Sequence, residues 1–279
     1  TIEPLSESPD GVLTCYEITI YAGDRKIESL ENNRILISMP YENESDQQKE
    51  ALVGVFVDEE GNLHVIPLSY YDEENQRIAI ATNHLSKYGI GYNLKTFKDS
   101  EKHWAKDYIN FLAAREVVAG ISDEAFAPDR TVTRAEFIKM LSGVINAGLE
   151  KYKDSGFTDV QKGAWYEKAV AWAVANNIVS GYGDGRFGPN DSITREQMAV
   201  ITVNFARAAG LEFTASVEEI EFTDAGKISG YAKDAVRTLQ MAGIISGKGN
   251  NTFDPKGTAT RAEAARIITD IIKAMVNSK

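Results

Sequence analysis

Cysteine is nearly absent: Cys15 is the single one in 279 residues. One thiol excludes an internal disulfide and a thiolate cluster, and within an apolar, β-prone stretch it reads as a small buried side chain. Histidine is almost as scarce. His64, His84 and His103 are scattered without metal-ligand spacing, so no metal site is expected; His84 reads as a brace for its own turn. No run of about 18 apolar residues occurs, so no membrane span is expected. Thr1 to Asp10 lack the basic start and apolar stretch of a secretory leader. A basic excess is missing too: 30 Lys and Arg stand against 41 Asp and Glu, a net charge of −11, which argues against nucleic acid as a partner. Neither a Gly-x-Ser-x-Gly elbow nor a phosphate-cradling glycine loop is present. Gly183-Asp184-Gly185 lacks the length and terminal Glu of a calcium loop. Among 41 acids no pair is singled out for glycoside cleavage. The chain is therefore expected to be no enzyme and to need no cofactor.

What is there is a change of texture near residue 95. Residues 1–95 hold 17 acids and 7 bases, whereas residues 96–279 hold 24 and 23. The first part alternates short β-prone runs with turn signals. Strands are predicted over Val12 to Tyr21, Arg34 to Met39, Leu52 to Val57, Leu63 to Ile66, Arg77 to Ala81 and Tyr88 to Tyr92, with the polar stretch Glu42 to Glu50 as a loop. Six or seven short strands with frequent turns indicate an all-β, sandwich-like domain.

The second part repeats itself three times. Unit one runs from Phe97-Lys98-Asp99 through Trp104, Gly120, Phe126 and Pro128 to Thr133-Arg134-Ala135-Glu136. Unit two runs from Phe157-Thr158-Asp159 through Trp165, Gly181, Phe187 and Pro189 to Thr194-Arg195-Glu196-Gln197. Unit three runs from Phe222-Thr223-Asp224 through Tyr231, Gly247, Phe253 and Pro255 to Thr260-Arg261-Ala262-Glu263. Each unit reads as helix, loop, helix. The first helix is expected to end near Val117-Val118, Ile178-Val179 or Ile244-Ile245, before a glycine suited to a left-handed turn. The second opens on a capping box, with Thr133, Thr194 and Thr260 as caps and Glu136, Gln197 and Glu263 reaching back. Its apolar stripe, such as Phe137, Met140, Leu141 and Val144 in unit one, fits one helix face. Three such stripes could pack together, giving a pseudo-threefold arrangement.

These motifs resemble the S-layer homology (SLH) family, over roughly residues 95–275. The resemblance implies a mostly helical, three-pronged body with a central three-helix bundle, preceded by the β-domain. The domains are then residues 1–95, 96–150, 151–213 and 214–279. The stretch Ile78-Ala79-Ile80-Ala81-Thr82-Asn83-His84-Leu85-Ser86-Lys87-Tyr88 also looks like β-domains that accompany SLH triplets. The implied role is non-covalent anchoring of an extracellular bacterial surface protein to the cell wall. The implied partner is a secondary cell-wall polysaccharide linked to peptidoglycan, often pyruvylated. An alternative is a structural surface-layer subunit whose β-domain drives self-association. By position, the family's sugar-contacting arginine falls on Arg134, Arg195 and Arg261. The units differ: Ala119 stands where the others have Ser180 and Ser246, Tyr231 replaces tryptophan, and unit two has Glu196-Gln197 for Ala-Glu.

Physical chemistry supplies a parallel argument. An arginine just inside a helix start sits near N–H groups without helical partners and near the positive end of the dipole. Its fork can grip a carboxylate with two hydrogen bonds; alternatively it pairs with a nearby acid. Trp104, Trp165 and Tyr231 either cover a sugar face or fill the core. Gly120, Gly181 and Gly247 either admit a ligand close to backbone or serve as helix caps. Asp99, Asp159 and Asp224 are expected to brace their segments. Arg195 is the leading candidate contact.

Overall fold

The chain is described as a computed structural model, in which residues 2–4, 11–27, 30, 34–44 and 46–277 are placed. Most of Thr1 to Asp10, over which no leader is expected, lies outside the described residues. The chain forms two compact units, residues 1–126 with 272–279, and residues 127–271.

Among the described residues the first unit holds ten antiparallel strands: β1 (Ile2–Pro4), β2 (Val12–Ile18), β3 (Tyr21–Ala22), β4 (Arg25–Lys26), β5 (Ile35–Pro40), β6 (Leu52–Val57), β7 (Leu63–Ile66), β8 (Ser69–Asp72), β9 (Arg77–Thr82) and β10 (Lys87–Tyr92). A five-stranded sheet has the order β1-β2-β10-β6-β7, a three-stranded one β5-β9-β8, and β3 and β4 make a small ribbon. In β5 the period of two sends Ile37 and Met39 inward and leaves Leu36 half exposed. They pair with Ile80 and Ile78 of β9, in register. These side chains meet Leu52, Tyr88 and Ile90 of the larger sheet in one core. Gly54 makes the close approach possible: a Cβ there would lie 2.6 Å from the Ile80 side chain. On the sheet's other face Val12, Cys15, Val53 and Val55 pack with Ala114, so the single thiol is buried as the sequence suggests.

The β-domain expectation holds in class, with differences of detail. The run from Val12 to Tyr21 is two strands, since β2 stops at Ile18 and β3 begins at Tyr21. Strand β8 lacks any apolar run to announce it; it exists because Ser69 to Asp72 pairs with β9 through a short turn. His84 braces its turn as expected, with Nδ1 3.1 Å from the Tyr88 hydroxyl, which donates to the His84 carbonyl.

The helices are α1 (Lys106–Ala114), α2 (Arg134–Val144), α3 (Glu167–Ala175), α4 (Arg195–Ala208), α5 (Lys233–Met241) and α6 (Arg261–Asn277). Thr133 and Thr194 cap α2 and α4 with complete capping boxes. At α6, Thr260 accepts from the Glu263 N–H at 3.2 Å and donates its own N–H to Glu263 at 2.9 Å. The first helices end earlier than expected. The left-handed residues that close the helices are Glu116, Asn177 and Gly243; of the later glycines Gly181 is also left-handed, with φ 70°, but it lies beyond the helix end. Paired bonds close each end: Val117 N–H to Leu112, Ile178 N–H to Ala173 and Ile244 N–H to Leu239.

Within the second unit, a closed ring of backbone hydrogen bonds ties the repeats. The N–H of Val132 donates to Ala259, that of Ala259 to Ile193, and that of Ile193 to Val132, at 3.0, 2.9 and 3.1 Å. All three residues are fully buried. The next step out repeats the cycle: Arg134 N–H to Asp191, Arg195 N–H to Gly257 and Arg261 N–H to Arg130. The pseudo-threefold relation is thus written in main-chain bonds. Helix α2 packs on α3, and α4 on α5.

Candidate functional site

Each repeat first builds a rigid loop. Asp159 accepts from the N–H groups of Phe187 and Gly188, both at 2.8 Å. Asp224 does the same for Phe253 and Asp254, and Asp99 accepts from Phe126. The Phe of each Phe-x-Asp start lies against the Phe of the loop: Phe97 on Phe126, Phe157 on Phe187 and Phe222 on Phe253, with centroids 5.4–5.7 Å apart. The aspartates therefore brace, as expected.

The repeat glycines serve the same packing. A Cβ on Gly181 would meet the Phe157 ring at 2.5 Å, and one on Gly120 the Phe97 ring at 2.6 Å. At Gly247 the Phe222 ring stands 3.1 Å away. The space beside each glycine is filled by its own repeat.

The helix starts differ from the expectation in one respect that changes the chemistry. Their free N–H groups are already used. In α2 the first N–H donates to Asp191, the second, from Ala135, to Pro189, and the third, from Glu136, to Thr133. In α4 the first two go to Gly257 and Pro255, and the third to Thr194. No ligand can take these donors without breaking the ring. What remains is the dipole and the arginine side chain.

Arg134, Arg195 and Arg261 are all buried, yet two of them are held differently. Arg134 Nε donates to the Phe187 carbonyl at 2.8 Å. Its guanidinium lies between two rings, 4.6 Å from the centroid of Tyr182 and 4.7 Å from that of Phe187. Burial pulls its pKa below the ordinary guanidinium value. Among the described residues it makes no ion pair, and it lines a cavity of about 430 Å³. Arg195 Nε donates to the Phe253 carbonyl at 2.7 Å, the equivalent bond. Its Nη1, however, is bound to the carboxylate of Glu263.

The cavity at Arg134 draws on three repeats. Ser180, Gly181 and Tyr182 come from the loop after α3, Gln197 from α4, and Tyr231 from the start of the third repeat. Tyr182 donates to Asp191 at 2.9 Å. Tyr231 is 60% exposed, and its hydroxyl donates to Glu196 at 3.1 Å. Burial first, then Glu196, push that phenol to about 12, so it stays a donor. Glu196 is the residue that the motif comparison marked only as a departure. It is 3% exposed and also receives the Ser229 N–H and hydroxyl at 3.0 Å and the ammonium of Lys256. Burial raises the Glu196 carboxyl pKa, but those bonds outweigh it and leave it below the ordinary value. A Glu at a position that is Ala in the other repeats was the available signal.

Trp104 and Trp165 are 57% and 59% exposed, which removes the core-filling reading for both. Trp165 stands against Tyr166, and Trp104 against His103 and Tyr108. Ser246 accepts from Arg266 at 3.3 Å. Among the described residues, no group of His, Cys, Asp and Glu could hold a metal ion, and no helix is long and apolar enough to cross a membrane.

The sequence profile of the S-layer homology domain matches residues 96–138, 156–199 and 221–265. An amylopullulanase of Thermoanaerobacterium thermosulfurigenes is 38% identical over 207 residues, 74% of this chain and 11% of the relative. The exoglucanase XynX of Acetivibrio thermocellus is 40% identical over 182 residues, covering 65% and 17%. The S-layer protein sap of Bacillus anthracis is 33% identical over 176 residues, covering 62% and 21%. The chain thus spans only about a tenth to a fifth of the length of these relatives.

Proposed function

Because this chain belongs to the S-layer homology family, with three tandem copies of its domain, we propose that it attaches a bacterial surface protein to the cell wall by non-covalent binding of an anionic wall polysaccharide. It works outside the cell and performs no catalysis of its own. The glycosidase names belong to relatives of which it matches 11% and 17%.

One observation carries the reading: a buried guanidinium, Arg134, with no ion-pair partner among the described residues, opening on a cavity rimmed by an exposed aromatic. A buried cation is costly unless paired, and a ligand carboxylate supplies the partner through charge-assisted, two-pronged hydrogen bonds. Tyr231 can lie on the apolar face of a sugar while its hydroxyl is held by Glu196. A pyruvyl ketal on a sugar fits this site, since it places one carboxylate beside hydroxyls on a compact ring. Ser180 and the Gly181 backbone are at hand for those hydroxyls. Further weak contacts at other repeats would add by multivalency.

The test is sedimentation of the chain with purified cell walls, followed by calorimetry with a pyruvylated wall disaccharide and its unmodified twin. Arg134→Ala should lower wall binding tenfold or more while the fold survives, and Arg195→Ala should lower it less. Equal binding of the two disaccharides would refute the pyruvyl specificity. Full wall binding by a folded Arg134→Ala chain would refute the site.

A further inference from the structure

Resting on the reading that an acidic glycan is the ligand, we infer that the third residue of the capped helices α4 and α6 sets whether the preceding repeat's arginine is available: Gln197 leaves Arg134 open, and Glu263 closes Arg195.

The two positions correspond by the backbone ring. Arg134 and Arg195 each donate the main-chain N–H to the next repeat, at Asp191 and Gly257, and each donates Nε to a loop phenylalanine carbonyl, Phe187 and Phe253. They part at Nη. Glu263 has two acceptor oxygens. Oε2 receives the Thr260 N–H at 2.9 Å to complete the cap, and Oε1 binds Arg195. Gln197 has one acceptor oxygen, and the cap takes it, from the Thr194 N–H at 3.2 Å. A carboxylate gives the cap one oxygen and the guanidinium a second, with its negative charge; the other end of an amide is a neutral NH2 donor, which cannot receive a guanidinium N–H.

The surroundings follow the same division. One turn further along α6, Arg266 and Asp270 lie 3.9 Å apart, where α4 has the uncharged Val200 and Asn204 facing the Arg134 cavity. An acidic sugar approaching Arg195 must displace a carboxylate tethered in the same protein, which acts at high effective concentration, and must endure its repulsion afterwards. At Arg134 it meets a cation with no ion-pair partner among the described residues, and a neutral amide. Gln197 is thus a specificity-determining residue at the Arg134 cavity.

Exchanging these residues tests the inference without disturbing the caps, since Glu and Gln both complete a capping box. In calorimetry of the full chain with a pyruvylated wall disaccharide, Q197E should weaken binding tenfold or more, as R134A does. E263Q should raise the number of equivalents bound by one. A Q197E chain that binds like the wild type, or an E263Q chain with unchanged stoichiometry and affinity, overturns the inference. Thermal melts without ligand give an independent reading: Q197E should raise the melting temperature by pairing Arg134, and E263Q should lower it by stranding Arg195. Opposite or absent shifts overturn it as well. If no chain, wild type included, binds walls or disaccharide, the anchoring proposal fails instead, and the melts alone decide this one.

Discussion

Arg115 and Arg134 are nearly equal in burial and differ in how many of their donors are bound. Arg115, fully buried in the first unit, gives Nε to the Ser69 carbonyl at 2.5 Å and its terminal nitrogens to Leu52, Glu50 and Phe111 at 2.9–3.0 Å. It stacks 3.5 Å over the Phe111 ring, and burial pulls its pKa down to about 9. All its visible bonds are structural. Arg115→Met should therefore cost about 2–4 kcal/mol, because several carbonyls lose their donor at once; denaturant unfolding of the full chain measures this. Glu196 provides a pH signature. Its folded-state pKa is depressed, so its stabilising contribution is complete above the unfolded value of about 4.3 and is lost as pH falls through the lower folded value. The melting temperature of the wild type should exceed that of E196Q at pH 6, and the gap should close in that acidic window. A gap that widens on acidification would contradict the bonding around Glu196.

At the scale of elements, the capped helices are where local sequence and tertiary bonding agree. Thr133→Ala should cost about 1 kcal/mol, readable as a lowered midpoint in urea. Asp159→Ala should cost more, about 1–3 kcal/mol, since it leaves the buried N–H groups of Phe187 and Gly188 without their acceptor. These elements were legible because Thr-x-x-Glu spacing and three aligned copies of Phe-x-Asp act over short range. The aspartate braces and the capping boxes follow from residue type and offset alone. The first helix ends were misplaced because three different residues, Glu116, Asn177 and Gly243, take the left-handed position, and only one of them is a glycine. Strand β8 was missed because Ser69 to Asp72 owes its extension to β9 rather than to its own pattern. The loss of helix-start donors could not be foreseen from the motif. Their acceptors, Asp191 and Gly257, lie more than fifty residues along the chain and come close only once the ring closes. The ion pair that engages Arg195 was hidden in the same way, since its partner Glu263 lies 68 positions along the chain.

For the whole molecule, the ring predicts all-or-none behaviour of the triplet. Removing the last repeat, residues 214–279, would strip Val132 of its acceptor and Ile193 of the donor to its carbonyl, and would free the Arg195 and Glu196 N–H groups. The helices of the shortened chain should lose their cooperative thermal transition, followed by far-ultraviolet circular dichroism, and the chain should bind a hydrophobic dye. A sharp melt of the helical signal from residues 1–213 would show that the repeats fold independently.

That closure is made of peptide groups, which every residue but proline carries in the same form. Nothing in it depends on which side chains stand at positions 196, 197, 231 or 263. Substitution can therefore change each helix start separately while the frame survives. One backbone closure thus carries a guanidinium that faces a cavity and another tied into a salt link.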